Sequence, residues 1–289
     1  MKLYSPSTIK EIKEIHSFKL SKSLGQNFLT DKNIIDKIII DSNIGENELV
    51  IEIGPGIGVI TREAAAYAKH VIAVEIDKNL IPILGRTLGD LDNVEVVNQD
   101  ILKTDLNKLI EDTREKIGKI EGVKIIGNLP YYITTPIIMK ILEDGVEADS
   151  ITIMMQKEVA DRIKAKEGTK ARGALSVAVQ YYCEVLKVAD VPKEVFVPVP
   201  KVDSTVLRLD VRKQKPVELM DDKLFFRAVK CGFGQRRKTL LNSLSSNSGF
   251  DKDQVKEILK GAGIEPSRRA ETLSIDEFAK IANQMYQCN

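Results

Sequence analysis

The chain has 289 residues, 43% hydrophobic and 29% charged, with a formal net charge of +1. That balance suits a soluble globular protein of one large and one smaller domain, and no apolar run approaches the roughly 18 residues of a membrane span. The first ten residues lack the apolar core of a signal peptide, and three widely spaced cysteines (Cys183, Cys231, Cys288) form no metal pattern, so a reduced cytoplasm and no metal are expected. Only His16 and His70 are available as histidines, which supports neither a His-based triad nor a His-rich metal site.

From the N-terminus, Asp31 to Asp41 predicts an amphipathic helix, with Asn33, Asp36 and Lys37 interleaved among isoleucines. Leu49 to Ile53 predicts a short apolar strand carrying one acid, Glu52. Gly54, Gly56 and Gly58 follow at alternate positions, and Val59 to Ala66 predicts a helix. Glycine lets the backbone pass close to a ligand. A dinucleotide fingerprint would need Gly-x-Gly-x-x-Gly, but here Gly58 comes one residue early and no basic cluster awaits a pyrophosphate. Gly54 and Gly56 are therefore read as holding an adenosyl amino acid, S-adenosylmethionine, against the alternative of an ordinary strand-to-helix turn.

Further strands are predicted near residues 70–76, 94–99, 123–128 and 150–156, with helices between, which implies a mostly parallel sheet covered on both faces. Ligands in such sheets sit beyond the carboxyl ends of the strands, where an acid after the second strand binds ribose hydroxyls. Glu75 takes that role, while Asp77 is read as a cap for the following helix. Asp100, after the third strand, is placed to accept from an adenine amino group; each acid alone is more often a loop residue or a cap. The fourth strand ends in Asn128-Leu129-Pro130-Tyr131. Asn128 and the neighbouring carbonyl can accept the two protons of an exocyclic amine, Pro130 fixes the backbone that aims them, and the Tyr131 ring can stack on a base.

Ala174 to Tyr182 is helix or strand by periodicity. Three prolines between Val191 and Lys201 exclude a regular element there and leave an extended loop presenting Phe196, either as a rigid crossover or for base stacking. Residues 212–216 mark a linker, placing a domain boundary at 212/213, with helices expected over 223–231, 236–244 and 251–262. Ser274, three before Glu277, is a capping signature for a last helix. Residues 213–289 carry 14 Lys+Arg against 10 Asp+Glu, and the window from Lys223 to Phe250 holds six basic residues and no acid. Arg236, Arg237 and Lys238 in that window are read as RNA phosphate contacts rather than a solvated helix face, while Phe225, Phe226 and Phe233 are read as core. Residues 1–25 and 157–172 are further basic candidates.

In one order stand Lys22-Ser-Leu-Gly25-Gln26-Asn27-Phe28-Leu29, Glu52-Ile-Gly-Pro-Gly-Ile-Gly58, Val74-Glu-Ile-Asp77, Asn98-Gln-Asp100, Asn128-Leu-Pro-Tyr131 and Phe196-Val-Pro-Val-Pro-Lys201-Val-Asp-Ser204. Over residues 20 to 275 this set resembles the KsgA (RsmA) rRNA adenine N6,N6-dimethyltransferases; Erm methyltransferases and mitochondrial transcription-factor relatives share part of it. The resemblance implies a Rossmann-like α/β methyltransferase domain over 1–212 with an N-terminal arm, 1–30, and a small all-helical RNA-binding domain over 213–289. It also implies that Ala174 to Tyr182 is helical, that strands run near 183–191 and 205–211, that Asn27 and Leu29 close over the cofactor, and that Phe196 stacks on the base opposite Tyr131. The substrate it implies is two adjacent adenosines in a hairpin loop near the 3′ end of 16S rRNA, in pre-30S particles, methylated by a monomer. An Erm-type 23S rRNA methyltransferase and a non-catalytic rRNA-binding assembly factor are the alternatives.

Overall fold

The computed structural model describes residues 2–15 and 25–288. Met1, residues 16–24, which include His16 and the first three residues of the first motif, and Asn289 lie outside the described residues. The chain divides into two compact units, Met1–Ala160 with Val185–Val211, and Asp161–Glu184 with Arg212–Asn289.

The elements of the large unit begin with α1 (Pro6–Ile15), β1 (Phe28–Leu29), α2 (Lys32–Ser42), β2 (Glu48–Ile53), α3 (Val59–Ala65), β3 (His70–Glu75), α4 (Ile81–Leu88) and β4 (Val94–Asn98). They continue through α5 (Leu106–Ile117), β5 (Gly122–Asn128), α6 (Thr134–Glu143) and β6 (Ser150–Gln156). After α7 (Lys157–Ile163) and α8 (Ala174–Tyr182), the chain supplies β7 (Cys183–Val191), β8 (Phe196–Val197) and β9 (Ser204–Val211). The seven-stranded sheet has the order β4-β3-β2-β5-β6-β9-β7. Strands β4, β3, β2, β5 and β6 are parallel, and β9 runs antiparallel to β6. Near-continuous apolar runs in β2, β3 and β5 follow from burial on both faces, as a parallel sheet demands. The chain winds outward from β2 to β4, then returns to start β5 on the other side of β2. That reversal leaves a crevice at the carboxyl ends of β2 and β5.

Local chemistry sets the approach to that crevice. Asp31 caps α2 by accepting from the Asn33 and Ile34 amides. Gly54, Gly56 and Gly58 all have positive φ, and Gly58, at φ +86°, caps α3 in the left-handed region. A Cβ there would lie 2.9 Å from Leu88 Cδ2 on α4. The early glycine that spoils the dinucleotide pattern is thus needed for the turn into α3 and for the approach of α4.

Between Pro192 and Pro198 the structure corrects the expectation of a loop without regular structure. Lys193–Val195 forms a 3-10 turn, and β8 pairs antiparallel with β1, Leu29 opposite Phe196. The Val197–Pro198 peptide is cis. A two-residue strand fits because neither residue is proline and its partner is equally short.

The small unit adds α9 (Asp222–Gly232), α10 (Leu240–Asn247), α11 (Lys252–Gly261) and α12 (Ile275–Gln287). Its boundary differs from the expected 212/213, because α8 belongs to it as well. Val177 and Tyr181 of α8 join the core formed by Phe225, Leu240, Leu259 and Phe278, with the Tyr181 and Phe225 rings 4.9 Å apart. Six of the nine α8 residues are buried, which erased the amphipathic period and left its sequence ambiguous. Phe225 is core, Phe226 and Phe233 pack against that core, and Ser274 and Glu277 form the expected capping box on α12. Arg172 is almost fully buried and donates to the Ala165 and Leu273 carbonyls, so it staples the small unit and cannot serve a phosphate.

Gly58→Ala is expected to destabilise the protein by about 2 kcal/mol or more, combining a left-handed Cβ penalty of roughly 1–2 kcal/mol with overpacking against Leu88. Urea titration would measure the loss as a lower midpoint at unchanged slope.

Candidate active site

The crevice at the carboxyl ends of β2, β3 and β5 opens into a cleft. Its walls are the glycine loop after β2, Glu75 and Ile76 after β3, Asp100 and Ile101 after β4, residues 128–133 after β5, and residues 25–29. Asn27, Leu29, Gly54, Gly56, Glu75, Asp100, Asn128, Leu129, Pro130 and Tyr131, all expected at the site, line this one cleft. Phe196 does not line it, and Arg236, Arg237 and Lys238 belong to the other unit.

Two carboxyls are buried near the carboxyl ends of the neighbouring strands β2 and β3. Glu75, the last residue of β3, is 5% exposed and accepts from the Asp77 amide at 2.8 Å. Burial raises its pKa to about 7, against the backbone hydrogen bonds it receives. Glu52 on β2 is 1% exposed, and Thr61 on α3 donates to it. Burial raises its pKa to about 8, with a further rise from the charge of Glu75. No cation is paired with either among the described residues. In the sequence Glu52 is a lone acid in an apolar strand, and only the fold shows that it turns toward the site.

Asp77 caps differently from the expectation. Its carboxylate accepts from Asn79 N at 3.0 Å, closing a turn before α4, whose N-cap is Leu80. Its other oxygen accepts from Gln26 Nε2 at 2.8 Å. Asp100 accepts from Leu102 N at 3.0 Å and so shapes its own turn at the cleft edge.

Asn128 ends β5, in register with Met154 of β6. Its Nδ2 donates to the Asn27 carbonyl at 3.0 Å, so the amide end that accepts, Oδ1, remains for the cleft. The Leu129 carbonyl accepts no hydrogen bond among the described residues. Thr134 Oγ1 and the Ile133 amide both donate to the Pro130 carbonyl, which fixes the turn into α6. Tyr131, half-buried, reaches Ser204 through its hydroxyl at 2.8 Å.

Residues 25–29 are held over the cleft from several sides. Thr30 donates through both its amide and its hydroxyl to the Val195 carbonyl, at 2.8 and 2.7 Å. Phe28 lies across Gly56, where a Cβ would come within 3.0 Å of the ring. Gln26 and Phe28 stand in the first motif with no role that sequence reasoning assigns; their partners, Asp77 and Gly56, lie far along the chain.

The stacking expectation for Phe196 needs correction. Its ring is 1% exposed, inside the apolar core that also holds Leu29, Val191 and Val206. Pairing of β8 with β1 turns this side chain inward, so it backs the segment that lines the cleft. The basic triplet is also placed differently: α10 begins at Leu240, and Arg236, Arg237 and Lys238 occupy the exposed turn before it. Arg236 donates to the Lys170 carbonyl at 3.1 Å.

A model of the ribosomal RNA adenine dimethylase family matches residues 17–287. The chain belongs to that family. It is 54% identical over 284 residues, 98% of this chain and 96% of the relative, to the ribosomal RNA small subunit methyltransferase A of Clostridioides difficile (strain 630). With the protein of the same description from Alkaliphilus oremlandii (strain OhILAs) it shares 52% over 287 residues, 98% of each chain. Among solved structures, a dimethyladenosine transferase from Plasmodium falciparum superposes with a TM-score of 0.74 at 26% identity, covering 88% of this chain and 95% of that one. The 23S rRNA methyltransferase ErmE superposes with a TM-score of 0.68 at 27% identity, covering 90% and 100%. The chain is thus a Rossmann-like methyltransferase with a helical C-terminal region, and the cleft lies within the matched span. Among the described residues no helix is long and apolar enough to cross a membrane.

The raised carboxyls tie stability to pH. Unfolded glutamates titrate near 4.5, so between there and about 7 to 8 the native state holds the extra protons. Their contribution is full below that window and is lost as pH rises through it. Glu52→Gln should flatten this fall and melt at a higher temperature than the wild type above pH 8. Melting curves from pH 5 to 9 check it; parallel curves would place the charge cost elsewhere.

Proposed function

We propose that the protein dimethylates N6 of two adjacent adenosines near the 3′ end of small-subunit rRNA, with S-adenosylmethionine as methyl donor, in maturing small-subunit particles. One observation carries the reading: Asn128 Oδ1 and the Leu129 carbonyl, at the end of β5, are two acceptors with no donor among the described residues, in the same cleft as the glycine loop and Glu75. The names and near-complete coverage of the curated relatives favour the small subunit over the 23S target named for ErmE.

The residues present fit an adenosyl amino acid. The bare backbone at Gly54 and Gly56 accommodates a close ligand, the Glu75 carboxylate suits ribose hydroxyls, and Asp100 with Ile101 offers an acceptor and an apolar wall for adenine. When bound, this cofactor supplies a methyl group on a sulfonium that needs no further activation. Adenine N6 is a poor nucleophile because its lone pair is delocalised into the ring. Asn128 Oδ1 and the Leu129 carbonyl accept hydrogen bonds from its two N–H groups and favour a pyramidal nitrogen whose lone pair leaves the ring plane. Tyr131 supports one face of the base, worth roughly 1–3 kcal/mol. Such positioning can contribute on the order of 7–11 kcal/mol at best. The target must be unpaired or flipped to enter.

Asn128→Ala should lower kcat by about 10²-fold or more, the scale of one missing transition-state hydrogen bond at about 2.7 kcal/mol, with little change in cofactor affinity. Single-turnover methylation at saturating cofactor of small-subunit particles and, side by side, of large-subunit particles carrying 23S rRNA, followed by mapping of modified adenosines in both rRNAs, tests role and target together. Near-normal turnover removes Asn128 from the chemistry, and marks confined to 23S rRNA overturn the target.

The helical unit is proposed to hold rRNA through Arg236, Arg237 and Lys238, exposed in the turn before α10 within the acid-free window. Reversing all three charges should weaken particle binding and leave cofactor affinity unchanged. It should also flatten the log-log salt dependence by roughly 0.7–0.9 for each phosphate that is no longer neutralised. Titration at several salt concentrations measures this; equal affinities with parallel slopes would move the RNA surface elsewhere.

A further inference from the structure

The tetrapeptide after β5 and the proline-rich crossover meet in one hydrogen bond, Tyr131 Oη to Ser204 Oγ at 2.8 Å. Stacking on a base uses only the Tyr131 ring, and a phenyl ring would stack as well. The hydroxyl therefore serves something other than stacking area.

Ser204 is fully buried and opens β9, opposite Gln156 at the end of β6. Asp203 beside it is held twice. Its carbonyl accepts from Lys157 N at 3.1 Å, and its carboxylate accepts from Lys193 N at 3.1 Å. Ser204 Oγ makes no other hydrogen bond among the described residues. The hydroxyl is thus mounted on the rigid sheet with a single partner. Tyr131 lies in the turn between β5 and α6, half-buried on the cleft wall. An anchored phenol restricts rotation about both side-chain torsions, whereas an unanchored ring on a turn would sample several orientations. Burial raises the Tyr131 pKa, and the nearby charge of Asp203 adds to the rise, so the phenol stays neutral in its bond with Ser204.

We propose that Ser204 is a positioning residue for methyl transfer, holding the Tyr131 ring in the orientation on which the target adenine stacks. The inference rests on reading the cleft as an adenine site. It gives the end of the crossover motif a role that the buried Phe196 ring does not fill: the crossover reaches the base through Ser204 and Tyr131.

The test compares Ser204→Ala, Tyr131→Phe, the double variant and Ser204→Thr with the wild type on rRNA particles at saturating cofactor. Cofactor affinity is measured by calorimetry on the same proteins. Ser204→Ala and Tyr131→Phe should each lower kcat about ten-fold, equivalent to about 1.4 kcal/mol, with cofactor affinity unchanged. The double variant should lose no more than either single one, since both remove the same bond. Ser204→Thr, which keeps a hydroxyl, should recover most of the rate. Wild-type kcat in Ser204→Ala, a change in KM alone, or a double variant that loses the product of the two single effects would overturn the proposal. Rate ratios are taken on whichever rRNA adenosine the wild type methylates, so a wrong target overturns the proposed function and leaves this test intact.

Discussion

The hydrogen bond from Asn128 Nδ2 to the Asn27 carbonyl decides what the cleft can do. A primary amide has a donating end and an accepting end. Tying the donor to a backbone carbonyl settles which way the amide lies and turns the acceptor toward the cleft. The Asn27 carbonyl is available only because residues 25–29 are stretched over the site, and three separate features hold them there. These are the β1–β8 pair, the Phe28 ring lying where Gly56 has no side chain, and the Gln26–Asp77 bond. Segments remote in sequence thus converge on the orientation of one side chain. The N-terminal arm, from Gly25 onward, is part of the cleft wall and not an appendage to it.

The same cleft carries an electrostatic imbalance. Glu52 and Glu75 are both buried with no cationic partner among the described residues, an arrangement that costs stability in the free protein. Sites that bind and react commonly keep such unfavourable groups because the ligand, not the fold, satisfies them. A ligand with hydroxyl donors and positive charge would offset a cost that an apolar filling would have avoided. The cleft is organised for what it receives.

Much of this is legible in the sequence because it rests on local rules. Strand ends, the acids beyond them, the cap at Ser274 and the glycine loop all obey short-range pattern and chemistry. The failures share a cause in long-range packing. Phe196 looks presented by its prolines, yet its direction is set by a strand partner far upstream. Periodicity fades in α8 because the helix is buried around most of its circumference, and the same burial draws it into the small unit, past the boundary suggested by composition. Arg172, counted among the surface cations, is a buried staple. Glu52 hides because a single acid in an apolar run carries no signal of the helix it faces.

The sheet order has a consequence for how the chain is made. Strand β9 lies between β6 and β7 although it is the last of the three in sequence. During vectorial synthesis the outer edge of β6 therefore has no partner until the chain has emerged past Ser204. By then α7, α8 and β7 already exist. An apolar strand with open backbone groups invites pairing with the wrong neighbour while it waits. The proline-rich crossover just before β9 pairs only through the two-residue β8, and with β1 in a separate sheet, so the insertion point beside β6 stays clear for the strand that belongs there.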